Sequence, residues 1–142
     1  MARVIQSEPI IQPFIWPIRV YYEDTDSGGV VYHSNYLNFM ERARTEWLRA
    51  LGFEQTKLKD SMGVIIVVHS LSIVFKKPAC FNDMLLVNCS LSKVGYSSIE
   101  MSQTIQREGV VLIDAQVKAA FVDAATFKPV AIPAEIKQKL NH

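Results

Sequence analysis

Residues 34–52 read SNYLNFMERARTEWLRALG, and this stretch constrains what the rest of the chain must do. Leu37, Met40, Arg44, Trp47, Leu48 and Leu51 follow near-helical spacing, with Tyr36, Ala43 and Ala50 widening the stripe. Glu41, Arg42, Glu46 and Arg49 lie mostly off that stripe. Ser34 and Asn35 are candidate N-caps and Gly52 a C-terminal stop, so about 16 residues are predicted helical. A stripe this wide is not a coiled-coil seam; it suits a helix lying across a sheet.

The flanking sequence supplies the sheet. Before the helix, WPIRVYYE (Trp16 to Glu23) alternates, with Ile18, Val20 and Tyr22 opposite Arg19, Tyr21 and Glu23. After a short second helix expected over Phe53 to Met62, Gly63 opens a series of strands. These are Val64 to Phe75, Met84 to Val94, Tyr96 to Arg107 and Val111 to Phe121, with Gly95 and Gly109 at turns. Leu85, Val87, Cys89 and Leu91 share one face, as do Ile99, Met101 and Ile105. A last helix is expected over Ala134 to Leu140, after Pro129 and Pro133. Strands gathered after one long helix, without βαβ alternation, predict an α+β fold with a five-stranded antiparallel sheet. Residues 1–15, with Pro9 and Pro13, read as a tail, and 16–142 as one domain. Val64 to Val68 is apolar on both faces of its strand, and one helix cannot cover both faces of such a sheet. A symmetric partner is the expected cover, so the chain is expected to be a homo-oligomer.

Composition sets outer bounds. At 142 residues one domain is expected. Hydrophobic residues make up 49% and charged residues 20%, as in ordinary globular proteins. A net charge of +1 argues against a nucleic-acid binder, whose footprint is a basic excess. The longest apolar run, Val64 to Val68, is too short to span a bilayer, and the first residues lack the pattern of a secretory signal. Two cysteines, Cys80 and Cys89, form no CxxC and no disulfide framework; both read as small core or surface residues, consistent with a cytoplasmic location.

The polar chemistry is concentrated in DTDSGGVVYHSN, residues 24–35, just ahead of the long helix. Glu23, Asp24 and Asp26 lie close together, yet no second group of acids or histidines completes a hard-cation site, so no metal and no cofactor are expected. The loop leads into a helix N-terminus, where unpaired N–H groups and the helix dipole favour developing negative charge. An acid held there, such as Asp26, could serve as base or nucleophile on a carbonyl whose oxygen rests on those amides. Gly28 and Gly29 would let the backbone approach a ligand, and His33 at the helix entrance could orient a group. The alternative is that these residues are only caps and turns. His69, within an apolar strand, reads as a satisfied core histidine, and Ser97 and Ser98 lack a GxSxG context.

The run RVYYEDTDSGGVVYHSNYLNFMERARTEWLRALGF, Arg19 to Phe53, carries the pattern D-x-D-x-x-G-x-V-Y-x-x-x-Y followed by E-R-A-R. It closely resembles the hot-dog-fold acyl-CoA thioesterases of the 4-hydroxybenzoyl-CoA thioesterase class, and within them the branch encoded with the Tol–Pal cell-envelope system. KKPA, Lys76 to Ala79, and the later strands also fit, so the resemblance covers about residues 16 to 140. It implies a sheet wrapped around one long central helix, with protomers joined sheet edge to sheet edge as dimers or tetramers. By the same resemblance Asp26 is the catalytic carboxylate, and the amide at His33 polarises the thioester carbonyl, with assistance from its ring. Gly29, Tyr32 and Tyr36 would bind or support the substrate, an acyl-CoA, while Asp24 and Glu23 are structural. The acyl chain would enter an apolar space at the subunit interface.

Lys57, Lys59, Lys76 and Lys77 are candidates for CoA phosphates and equally for plain solvated lysines. A related branch carries its acid on the central helix, which would point to Glu41 or Glu46; the loop spacing fits Asp26 instead, and Glu41, Arg42 and Arg44 read as ion pairs on a polar face. The competing expectation is a non-catalytic hot-dog scaffold that binds acyl-carrier protein or envelope partners.

Overall fold

A computed structural model describes residues 13–140. The expected tail, residues 1–15, therefore lies largely outside the described residues. Phe14 and Ile15 are already in the sheet, facing Cys89 and Asn88. The elements are β1 (Phe14–Arg19), α1 (Asn35–Ala50), α2 (Gln55–Met62), β2 (Val64–Phe75), β3 (Met84–Val94), β4 (Ser98–Arg107), β5 (Val110–Asp123) and α3 (Ala134–Leu140). One five-stranded sheet has the order β1-β3-β4-β5-β2, antiparallel throughout. The expected five strands and antiparallel pairing are thus present, and α1 is the longest helix.

Two sequence readings are corrected at the first strand and the long helix. β1 stops at Arg19 instead of Glu23, because the chain tightens into a 3₁₀ turn at Tyr22–Asp24. Ile18 and Val20 are buried as expected, whereas Tyr22 turns out to solvent. On α1 the buried stripe is Tyr36, Phe39, Met40, Ala43, Trp47 and Leu48. Phe39 belongs to it and Leu37 and Ala50 do not, a rotation of the expected face by part of a turn. Gly52 ends the helix region at φ +99°, a left-handed conformation that side chains with a Cβ disfavour.

β2 corrects a third reading. His69 is exposed, at a register shift between Val68 and Ser70, so it is not a core histidine. A bulge lets one residue leave the pleat, which is how a polar side chain interrupts an apolar strand without being buried. β2 pairs with β5 along one side only, and its exposed residues include Val68, Leu71, Val74 and Phe75.

The core divides into two clusters along α1. One gathers Phe39, Met40, Ala43, Leu85, Ile105 and Ile113. The other gathers Trp47, Leu48, Met101, Val117, Phe121 and Ile136. Between them, on β4, sits Gln103, fully buried at 0% exposure on the face that otherwise carries Ile99, Met101 and Ile105. Its amide nitrogen donates to the Met40 carbonyl at 3.2 Å and to Cys89 Sγ at 3.0 Å, and its Oε1 accepts from Arg44 Nη1 at 2.9 Å. A buried amide must have its hydrogen bonds satisfied, and these three bonds tie the middle of α1 to the middle of the sheet. Burial pushes the Cys89 thiol up to about 12, so it stays a neutral thiol within this network. Cys80, by contrast, is exposed.

Candidate active site

The loop between β1 and α1 is held from within by Asp24. Its carboxylate Oδ2 accepts from the Tyr21 N–H at 2.9 Å. Its carbonyl accepts both from the Tyr32 N–H at 3.0 Å and from Asn35 Nδ2 at 2.9 Å. Asp24 is 8% exposed, so these bonds fix the start of α1 against the end of the preceding turn. Asn35 therefore serves the loop and does not cap the helix. Ser34 stands at the N-cap position with helical dihedrals (φ −71°, ψ −20°) and makes no side-chain capping bond. Side-chain caps normally need an extended residue there, so both expected caps are corrected. Among the described residues, the His33 N–H also has no hydrogen-bond acceptor. The entrance to α1 thus keeps open donors at the positive end of the helix dipole.

Asp26 is exposed and sits in a tight turn. Its Oδ1 accepts from the Gly28 N–H at 2.8 Å, its N–H donates to the Val30 carbonyl at 2.9 Å, and the Gly29 N–H donates to its carbonyl at 3.0 Å. The other carboxylate oxygen has no partner among the described residues. The two glycines play different parts. A Cβ on Gly28 would stand 3.2 Å from Asp26 Oδ1, so a side chain there would press on the carboxylate. A Cβ on Gly29 would meet only open space, but its φ of +83° is left-handed, so conformation and not close approach requires glycine there.

A second segment, 75–83, closes against this loop. The Val31 N–H donates to the Ala79 carbonyl at 2.8 Å, and the Ala79 N–H donates to the Tyr36 hydroxyl at 2.9 Å. Tyr36 is 3% exposed, and burial pushes its phenol above its ordinary value, so it stays neutral. Its oxygen is engaged in holding the loop. Asp83 Oδ2 accepts from the Cys80 N–H at 2.8 Å and from Arg107 Nη1 at 2.6 Å. Burial alone would raise the Asp83 carboxyl, but the Cys80 N–H and the Arg107 guanidinium hold it below its ordinary value.

Between the two segments lies a cavity of about 260 Å³ lined by Val31, His33, Tyr36, Phe75, Lys76, Lys77 and Pro78. Phe75 meets His33 edge to face at 6.3 Å and packs against Tyr36 at 5.9 Å, and Tyr32 packs against His33 at 4.5 Å. Of the expected site residues, the structure brings His33, Tyr36 and, through His33, Tyr32 to this cavity. Asp26 and Gly29 stand in the adjoining turn and do not line it. Phe75, Lys76 and Lys77 join the site from a segment far downstream; the two lysines were among the sequence candidates, whereas Phe75 was read only as the end of a strand. The remaining candidates fall elsewhere. Lys57 pairs with Glu54 at 3.5 Å, and Glu46 pairs with Arg49 at 2.7 Å. The expected Glu41–Arg42–Arg44 ion pairs are not formed: Arg42 lies over the Phe39 ring, and Arg44 turns inward to Gln103.

Replacing Asp83 by Asn tests how firmly the second segment is clamped. The folded-state carboxyl titrates below its ordinary 3.8, so its contribution is full at neutral pH and is lost as pH falls through the folded value. Chemical denaturation at pH 7 should show the variant less stable by about 1 kcal/mol, the difference shrinking towards zero at the acid end. A difference that stays constant across the whole acid limb would remove the clamp from the account.

Comparison with known proteins shows the family. Residues 20–140 match the family model described as the Thioesterase-like superfamily. The chain is 46% identical over 129 residues to an acyl-CoA thioesterase, YbgC, of Haemophilus influenzae, covering 91% of this chain and 95% of that one. It is 33% identical to an acyl-CoA thioesterase YbgC of Helicobacter pylori strain 26695, covering 87% and 96%. A probable thioesterase from Bartonella henselae superposes with a TM-score of 0.82 at 34% identity, covering 85% of this chain and 99% of that chain. With a five-stranded antiparallel sheet, a polar loop ahead of the long helix and relatives matched over nearly their whole length, the chain belongs to the thioesterase-like, hot-dog superfamily.

Proposed function

We propose that the chain is an acyl-CoA thioesterase, hydrolysing the thioester to a free acid and CoA. The observation that carries this is an uncapped helix entrance opening on a cavity, in a chain 46% identical to a thioesterase of that substrate class. In the reaction, the thioester carbonyl lies at the N-terminus of α1 with its oxygen on the His33 N–H. As the carbonyl carbon becomes tetrahedral, charge develops on that oxygen, where an oriented donor and the helix dipole stabilise it most. Asp26 supplies the base or the nucleophile. Acting on water, it takes a proton as the C–O bond forms; attacking directly, it forms a mixed anhydride that water then opens. Either route breaks the C–S bond, and the CoA sulfur leaves as thiolate and is protonated.

The free Asp26 oxygen and the Gly28 bond on the other oxygen support this role, since one holds the carboxylate while the other is open to react. The His33 ring, packed between Tyr32 and Phe75, is held close to the same amide. Tyr36 supports the site from behind, and Gly29 sets the turn that carries Asp26. Lys76 and Lys77 line the cavity, which supports them over Lys57 and Lys59 as contacts for CoA phosphates. We assign the chain to the Tol–Pal-associated branch on His33 and the surrounding motif, with a cytoplasmic location. Among the described residues, no helix is long and apolar enough to cross a membrane.

Thiol release from a panel of short, long and aromatic acyl-CoAs tests the assignment. At least one substrate should turn over, and Asp26→Asn should lower kcat by a factor of about 10² or more. His33→Ala, which keeps the amide, should lose less than Asp26→Asn. A panel with no turnover favours the scaffold that binds acyl-carrier protein or an envelope partner, and a fully active Asp26→Asn removes the carboxylate from the mechanism.

The free edge of β2 supports a homo-oligomer, a dimer joined edge to edge or a tetramer of such dimers. A strand of twelve residues with one edge unpaired among the described residues, and with Val68, Leu71, Val74 and Phe75 exposed, is a template for pairing with a second chain. Light scattering should give a dimer or tetramer, shifted towards monomer by Leu71→Glu. A monodisperse wild-type monomer would contradict this reading.

A further inference from the structure

The cavity wall that carries Lys76 and Lys77 is built on the end of the β4–β5 hairpin. The Lys76 and Lys77 N–H groups both donate to the Leu112 carbonyl of β5, at 2.8 and 3.2 Å. Arg107, the last residue of β4, donates through Nη1 to the Pro78 carbonyl at 3.3 Å and to Asp83 Oδ2 at 2.6 Å. Asp83 Oδ2 accepts in turn from the Cys80 N–H at 2.8 Å. Residues 76–80 are thus attached at both ends to one hairpin. Pro78 has a fixed φ and restricts the residue before it, so a bond on its carbonyl also steadies the backbone of Lys77.

The three cations gathered here are not equivalent. Lys76 and Lys77 are exposed and make no ion pair among the described residues. Arg107 is partly buried and does not line the cavity, and its charge is met by the partly buried Asp83. The other ion pairs among the described residues lie within residues 46–57, so Arg107–Asp83 is the one that joins distant segments. A guanidinium already matched by a carboxylate has little charge to offer a ligand, and what it supplies is position. A lysine is a flexible, strongly hydrated point charge, and ordering two of them on a ligand costs free energy. A backbone fixed in advance lowers that cost.

We propose that Arg107 is a positioning residue for substrate recognition: paired with Asp83 and bonded to Pro78, it holds Lys76 and Lys77 where they meet the phosphates of the CoA half of the substrate. This rests on the acyl-CoA reading and adds to it a residue remote from the reacting atoms. The thioester carbonyl lies at the entrance of α1, so loss of Arg107 weakens the grip on the nucleotide end and leaves the chemical step unchanged. The signature is a rise in KM without a fall in kcat.

Kinetics and CoA binding of the full chain test it together. With the most active acyl-CoA of the panel, Arg107→Ala should raise KM about tenfold and change kcat by less than about twofold. The matching acyl-pantetheine keeps the thioester arm and lacks every phosphate; on it, kcat/KM of Arg107→Ala should stay within about twofold of wild type. Arg107→Lys, which keeps a donor for Asp83, should restore part of the KM. Lys76→Ala/Lys77→Ala should raise KM for the CoA thioester at least as much as Arg107→Ala. Adding Arg107→Ala to that pair should change KM by less than about twofold, because the residues act as one unit. Asp83→Asn should raise KM in the same direction, which keeps the proposal testable if Arg107→Ala does not fold. An equal loss on both substrates would reduce Arg107 to a support of the fold, and a fall in kcat would tie it to the reacting centre. A further loss on top of the lysine pair would make it a direct phosphate ligand. Each of these results overturns the proposal, as does an unchanged KM. Calorimetry with CoA alone separates it from the thioesterase reading: if no thioester is hydrolysed, CoA should still bind, about tenfold more weakly to Arg107→Ala than to wild type. Equal CoA affinity in the two proteins overturns the positioning role, and a wild type that neither hydrolyses a thioester nor binds CoA overturns both readings.

Discussion

Asp24 is the constraint on which the site depends. A buried carboxylate that accepts one backbone N–H, and a carbonyl that accepts two donors, join three pieces of chain: the end of the 3₁₀ turn, the residue before His33 and the first residue of α1. A charged group buried without partners would cost several kcal/mol, so the site loop is stable only while these bonds are made. The consequence is positional. Asn35 is drawn to Asp24, neither it nor Ser34 caps the helix, and the His33 N–H at its entrance has no acceptor among the described residues. The same loop that carries the exposed Asp26 carboxylate therefore also leaves the His33 N–H without an acceptor among the described residues.

The second clamp acts from the sheet. Tyr36 and Val31 hold Ala79 by its N–H and its carbonyl, so the segment that brings Phe75, Lys76 and Lys77 to the cavity is fixed to the helix that it faces. Further along the same helix, Gln103 grips Met40 and Arg44 between the two hydrophobic clusters. Apolar packing alone would permit α1 to slide along a smooth face; a satisfied polar contact between two apolar clusters fixes its axial position. The helix that carries the entrance is thus set at both its N-terminus and its middle.

Much of the fold was legible because it rests on local periodicity. β2, β3 and α3 begin and end where alternation and turn residues place them, and β4 and β5 differ by a few terminal residues. The failures occur where a long-range contact overrides the local pattern. Tyr22 keeps the alternation of β1 in sequence, but Asp24 pulls the chain into a turn before the strand can use it. Phe39 was absent from the expected stripe because the sheet, not the helix alone, selects which face is buried. Gln103 was not singled out from the sequence, although it lies in phase with Ile99, Met101 and Ile105; a polar residue in that phase is the signal that could have found it. His69 failed in the opposite sense, since a bulge removed it from a strand whose apolar run suggested burial. In the site, the loop acids, the glycines and His33 were readable from their order ahead of a helix. That Asp24 and not Asp26 turns inward agrees with the structural part that the resemblance gave to Asp24, but nothing in the local pattern shows it. That Tyr36 spends its hydroxyl on Ala79 had no signal at all, since both follow from pairing between separate segments of the chain.

The most direct measurement is a crystal structure with a non-hydrolysable acyl-CoA in which a methylene ketone replaces the thioester. The account predicts the ketone oxygen at about 2.7–3.1 Å from the His33 nitrogen, with the Asp26 carboxylate on the side of the carbonyl carbon open to attack. A carbonyl bound away from the entrance of α1, or an Asp26 carboxylate still turned to solvent with the ligand in place, would contradict it.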